Sequence, residues 1–61
     1  MDAYNRIDII LREKNISRRR LAILLNIAPS TFGSMFLRRN DLSASTAEEI
    51  SKQLNVPLNY I

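Results

Sequence analysis

The sequence contains no cysteine and no histidine. Their absence excludes disulfides, thiolate chemistry, zinc sites of the Cys/His type and Ser-His catalysis together. One glycine and two prolines leave little room for a β architecture with many turns. No apolar run approaches the roughly 18 residues that a transmembrane helix needs, and the N-terminus has no long apolar segment of the signal-peptide kind. We therefore expect no metal, no cofactor and no membrane partner.

The length of 61 residues predicts one domain over residues 1–61. A chain this short buries only about 60% of the surface that its unfolded form exposes, so its core must be small. Hydrophobic residues make up 46% of the chain and charged residues 25%, which indicates a globular domain. The acidic pair Glu48 and Glu49 has no basic or nucleophilic companions at catalytic spacing, so we predict neither an enzyme nor a small-molecule substrate.

The positive charge is concentrated in the middle of the chain. From Arg12 to Asn40 there are seven basic residues and one acidic residue, whereas the rest of the chain has two basic and five acidic residues. Such asymmetry favours a polyanionic partner, with nucleic acid ahead of a membrane surface. A solvated charged face is the alternative that charge alone leaves open.

The apolar periodicity predicts an all-α fold, a compact bundle of five short helices. Their expected ranges are residues 2–13, 18–25, 29–37, a fourth helix capped by Ser43 or Ser45, and 58–61. Ser17 is suited to an N-cap, and Ser45 with Glu48 fits a capping box better than Ser43 with Thr46 does. Asn26 and Asn55 stand where a helix exit needs a left-handed residue.

The second and third helices are predicted to cross steeply as a helix-turn-helix. Only about three residues separate them, too few to reverse the chain into a long antiparallel hairpin. Ala22 is small at the middle of the second helix, where a crossing helix would press closest.

At this point residues 15–61 resemble the helix-turn-helix of phage repressors and Cro proteins, the lambda-repressor-like fold. The resemblance covers about three quarters of the chain and is carried by Ser17, Leu21, Ala22, Leu25, Ile27, Ser30, Thr31, Phe32, Met35, Ser43, Thr46, Ile50, Lys52, Leu54, Val56 and Leu58. The family usually has Gly where this chain has Asn26 and Asn55, often Ser or Thr at position 28, and commonly Glu at position 20. Ala28 cannot cap a helix with its side chain, whereas Asn tolerates the left-handed conformation.

The resemblance implies a sequence-specific regulator of transcription that binds duplex DNA without a cofactor. The third helix would lie in the major groove. The residues expected to face base edges are Pro29, Ser30, Thr31, Gly33 and Ser34. Those expected to contact phosphates are Ser17, Arg18, Arg19, Arg38, Arg39 and Asn40. The resemblance further implies a repressor or Cro-like protein of phage or bacterial origin, located in the cytoplasm with the nucleoid. Such a protein would bind a two-fold DNA site as a homodimer.

Phe36 and Leu37 depart from the family, which generally has polar residues at both positions. Because Phe32 and Met35 already supply the inward face, at least one of the pair is expected to be partly exposed. An exposed apolar pair would indicate a protein contact, and a repacked core is the alternative. The rival function is therefore a protein-interaction module on the same fold that has lost base reading.

Overall fold

A computed structural model describes residues 2–61 of the chain. Within that range the protein is compact and helical, and no strand occurs. The elements are α1 (Ala3–Lys14), α2 (Arg18–Leu24), α3 (Pro29–Arg38), α4 (Ala44–Leu54) and a 3-10 turn (Leu58–Tyr60). Met1, the first residue of the predicted domain, lies outside the described residues.

The prediction of a fifth helix over residues 58–61 is not confirmed, because this segment forms no α-helix. Leu58–Tyr60 forms a single 3-10 turn after Pro57. Its backbone bonds run from Tyr60 N to the Pro57 carbonyl and from Ile61 N to the Leu58 carbonyl, each over three residues. An α-helix requires bonds over four residues, and none forms in this short segment.

Three of the four α-helices described for residues 2–61 start at a side-chain cap. Asp2 accepts a hydrogen bond from Asn5 N, Ser17 from Arg20 N and Ser43 from Thr46 N. The preference for Ser45 as the cap of α4 was wrong, because Ser43 binds both the backbone N–H and the hydroxyl of Thr46. Ala28 precedes α3 without a side-chain cap, as predicted.

Each of the four α-helices in residues 2–61 is followed by a residue in the left-handed conformation, and none of these residues is glycine. Asn26 has φ of 62° and Asn55 has φ of 56°, which confirms both sequence predictions. Asn15 and Arg39 also adopt positive φ, at 58° and 53°. The positive φ of Arg39 was not predicted. Glycine tolerates this conformation because it has no Cβ, and asparagine because its polar side chain is short, but arginine has neither property.

The core lies between all four helices. Its most deeply buried side chains come from every one of them: Ile7, Leu21, Phe32, Ile50 and Leu54. Around these pack the other buried hydrophobic residues, which are Tyr4, Ile10, Leu11, Ala22 and Phe36.

The helices α2 and α3 meet at a steep angle. Their axes are bent by 117° across residues 25–28. Ala22 is fully buried in α2, and its carbonyl accepts a 2.9 Å hydrogen bond from Ile27 N in the connection. The small side chain and this backbone bond hold the two helices close at the bend.

Within residues 2–61 no single helix is long and apolar enough to cross a membrane. α2 and α3 taken together have sufficient length and apolar composition, but they are the two helices joined by the 117° bend.

Candidate nucleic-acid interface

The outward face of α3 is open to solvent. Phe32 and Phe36 are buried, and Met35 packs against the core from a half-buried position. The five residues that the sequence predicts to face bases are all exposed: Pro29, Ser30, Thr31, Gly33 and Ser34. Ser30, Gly33 and Ser34 are spaced three and four residues apart, so they lie along one side of the helix.

Gly33 has no internal reason to be glycine. Its φ is not positive, and a methyl group built at its Cα would have no atom within 4 Å outside the local helix backbone. Glycine inside a helix costs about 1 kcal/mol relative to alanine. No contact within the described residues requires glycine at this position, and the open space beside Gly33 leaves room for a close approach to α3 from outside.

The six predicted phosphate contacts lie at two places. Ser17, Arg18 and Arg19 are at the start of α2, and Arg38, Arg39 and Asn40 are at the end of α3. All six are exposed, as their predicted role requires, and so is the neighbouring Arg20.

Arg18 is held in place by two other helices. Its Nε and Nη2 donate to the two carboxylate oxygens of Asp8 on α1, at 2.9 and 2.6 Å. Its guanidinium also lies 4.3 Å from the centre of the Phe36 ring on α3. The hydrogen bond to Asp8 raises the pKa of Arg18 above its usual value. Arg18 is thus oriented by contacts within the domain, with Nη1 left out of the Asp8 pair.

The loop after α3 is fastened to the start of α1. Arg39 Nη1 donates to both carboxylate oxygens of Asp2 at 2.9 Å. The Tyr4 hydroxyl donates to the Asn40 carbonyl at 2.7 Å. The pKa of the Asp2 carboxyl is lowered from its usual value. The main cause is the hydrogen bond that it accepts from Asn5 N, and the positive charge of Arg39 acts in the same direction. The position of the loop is therefore set by contacts far away in sequence.

These contacts reduce the net charge that the sequence pattern indicated. Asp2 and Asp8 come from outside the basic segment and neutralise Arg39 and Arg18. Arg19, Arg20 and Arg38 form no ion pair within residues 2–61. No local signal could have identified Asp2 and Asp8 as members of this region, because helix spacing pairs them with Arg6 and Arg12 instead.

No protein-family model, curated protein or solved structure matches this chain. The likeness to phage repressors therefore remains a prediction from the sequence.

The apolar pair Phe36 and Leu37 is divided between inside and outside. Phe36 is only 4% exposed and makes edge-to-face contacts with Tyr4 and Phe32, each with ring centres 5.0 Å apart. For Phe36 the alternative of a repacked core holds, because Tyr4 supplies a second aromatic partner that the helix pattern did not reveal. Leu37 is 85% exposed, so the expectation that one of the two would be exposed is confirmed.

Proposed function

We propose that this protein is a sequence-specific DNA-binding regulator in which α2 and α3 form a helix-turn-helix and α3 enters the major groove. The observation that carries the proposal is the steep α2–α3 bend combined with an outward face of α3 whose residues are exposed to solvent. A helix that packs on the domain by one side and exposes the other fits the width of the major groove of B-DNA.

The phosphate contacts in this proposal come from both ends of the α2–α3 unit. Ser17, Arg18 and Arg19 would contact one stretch of backbone, and Arg38, Arg39 and Asn40 another. Arg19 and Arg38 have no internal ion pair in the described residues and are the strongest candidates. Arg18 would donate through Nη1 while Asp8 holds its other nitrogens. Such contacts supply affinity and register, but not base discrimination.

The base-reading face of α3 is unusual in carrying only short side chains. Pro29, Ser30, Thr31, Gly33 and Ser34 include no Arg, Asn or Gln that could make a bidentate pair with guanine or adenine. Serine hydroxyls discriminate weakly because they both donate and accept. Specificity in this proposal therefore comes from close approach of the α3 backbone, from bridging water and from DNA shape.

The most natural biological form of the proposal is a repressor or Cro-like protein that binds a two-fold DNA site as a homodimer. The rival, a protein-interaction module on the same fold, keeps two supports, the short side chains on the outward face of α3 and the exposed Leu37, but loses Phe36, which is buried.

Site selection from a random duplex pool tests the proposal. The parent chain should bind duplex DNA with an affinity that falls steeply with salt, and it should enrich a defined sequence. Gly33→Gln should shift the enriched bases, because a long amide at this position can reach an adenine edge. Ala44→Gln places the same side chain on an exposed position of α4 and should leave the selected site unchanged.

The result against the proposal is equally defined. If the parent shows no salt-dependent binding to duplex DNA, the protein-interaction module becomes the better explanation. If binding occurs but the parent and Gly33→Gln select the same bases with the same strength, α3 is not the reading helix.

A further inference from the structure

Leu37 is the most exposed large hydrophobic side chain in residues 2–61. It is 85% exposed, compared with 58% for Tyr60 and 55% for Ile23. An apolar side chain that stays in water contributes no hydrophobic stabilisation to the core.

Leu37 belongs to the same side of α3 as the predicted base-facing residues. It follows Gly33 by four residues, Ser34 by three and Ser30 by seven, which is the spacing of a single helical stripe. Along the axis its Cα lies about 10 Å beyond that of Ser30. On this stripe it is the longest side chain, because its three companions end at a hydroxyl or have no side chain at all.

The surroundings of Leu37 do not fit an apolar protein interface. A stable protein–protein contact needs about 800 Å² on each partner, with a hydrophobic centre. Phe36, which could have extended the apolar area, is buried, and the other residues of the stripe are two serines and a glycine. The next residue, Arg38, is an exposed cation without an ion pair in the described range, and no acidic residue occurs between Lys14 and Asn40. This charge matches a polyanion.

We propose that Leu37 packs against the C5-methyl group of a thymine in the major groove and so determines specificity at one base pair. The inference rests on the proposed function and adds the ligand group that this side chain would read. The thymine methyl is the apolar group that base pairs present in the major groove, and a leucine can satisfy no donor or acceptor there. The short side chains of Ser30, Gly33 and Ser34 let the helix approach closely enough for the contact.

Replacement of thymine by uracil tests this contact, because the change removes the methyl group and keeps every hydrogen-bonding group. Each thymine of the duplex selected by the parent chain is replaced in turn, and the Kd is measured for the parent, Leu37→Ala and Leu58→Ala. Loss of one buried methyl should weaken binding of the parent about fourfold at one thymine. Leu37→Ala should bind the thymine and uracil duplexes equally at that position and keep the parent's response at the others.

Leu58→Ala is the matched control, since Leu58 is a half-exposed leucine on the 3-10 turn, away from α3. It should keep the parent's full set of thymine preferences. Thermal melting of each variant confirms that it is folded at the temperature of the binding measurement.

Two results would overturn the inference while leaving the proposed function in place. One is that Leu37→Ala retains every thymine-to-uracil ratio of the parent. The other is that Leu37→Ala dissociates a dimer seen by sedimentation without DNA and leaves the ratios unchanged, which would assign Leu37 to a protein contact. Failure of the parent to bind or to select any duplex would instead remove both proposals together.

Discussion

The guanidinium of Arg18 is stacked 4.3 Å from the ring centre of Phe36 while its nitrogens bind Asp8. This one side chain therefore connects the start of α2 with α1 and with the buried side of α3. A cation in the first turn of a helix opposes the helix dipole. The carboxylate of Asp8 and the face of the Phe36 ring offset that unfavourable placement, so Arg18 has a structural role in addition to its proposed phosphate contact.

Arg18→Ala should lower the free energy of unfolding by about 1 kcal/mol, because an exposed ion pair and an exposed cation–π contact each contribute up to that order. It should also weaken binding to specific and random DNA by similar factors and reduce the salt slope by about one. Titrations at several salt concentrations measure the slope. Arg19→Ala is the control: it should reduce the slope without loss of stability. If Arg18→Ala leaves the salt slope of DNA binding unchanged, Arg18 pairs with Asp8 and contacts no phosphate.

Phe36→Lys should unfold the domain, whereas Leu37→Lys should leave it folded. Phe36 is buried among Tyr4 and Phe32, and removal of a buried phenylalanine costs about 3–5 kcal/mol even before a charge is buried. Phe36→Lys is therefore expected to be unfolded at room temperature. Leu37→Lys should change the free energy of unfolding by less than about 0.5 kcal/mol. Circular dichroism during thermal melting shows which variants are folded. If both variants are unfolded, Leu37 belongs to the core.

Gly33→Ala should stabilise the free domain by up to about 1 kcal/mol, because alanine has the higher helix propensity and its methyl group meets no neighbour. DNA binding should not tighten in parallel, since the added methyl lies on the face that is proposed to approach the groove. Denaturant unfolding and DNA titration of the same preparation give both quantities. Gln53→Ala, at an exposed and uncharged position of α4, is the control and should leave DNA binding unchanged. Tighter DNA binding by Gly33→Ala would contradict close approach at this position.

Tyr4→Phe should cost about 1 kcal/mol by removing the hydrogen bond to the Asn40 carbonyl. Burial raises the pKa of Tyr4 above its ordinary value of 10.0, and the charges of Asp41 and Asp2 act in the same direction. Because the folded-state pKa exceeds the unfolded one, this contribution to stability is fully present below about pH 10 and is lost as the pH rises further.

The parent and Tyr4→Phe should accordingly become more similar in stability as the pH increases from 9 towards 11. Tyr60→Phe, at an exposed position of the 3-10 turn, is the control and should follow the parent at every pH. A constant difference between the parent and Tyr4→Phe across this range would show that the Tyr4 hydroxyl does not ionise differently in the folded and unfolded chains.

The four helix spans could be predicted from the sequence because their causes are local. Apolar spacing identifies the buried stripes, Ser17 is a cap by residue type, and Asn26 and Asn55 suit left-handed exits. The choice between Ser43 and Ser45 was less secure, since both have the right chemistry within two residues of each other.

The parts that could not be predicted depend on contacts between distant segments. Burial of Phe36 requires Tyr4 beside it, and the pairing of Asp8 with Arg18 requires α1 to pack across the start of α2. The left-handed Arg39 accompanies an ion pair to Asp2 that is 37 residues away. Sequence spacing on a single helix contains no information about such pairs.

The bond between Tyr4 and Asn40 has a consequence for how the domain folds. It joins residues 36 apart, in a chain that otherwise makes mostly local helix contacts, and closing so large a loop has an entropic cost that short-range contacts avoid. We therefore expect the end of α3 to reach its final position late, after the individual turns have formed. A segment made only of α2 and α3 would lack the aromatic and ionic partners at the start of α1 that fix this end. We therefore expect the proposed reading helix and the N-terminal helix to fold as one cooperative unit.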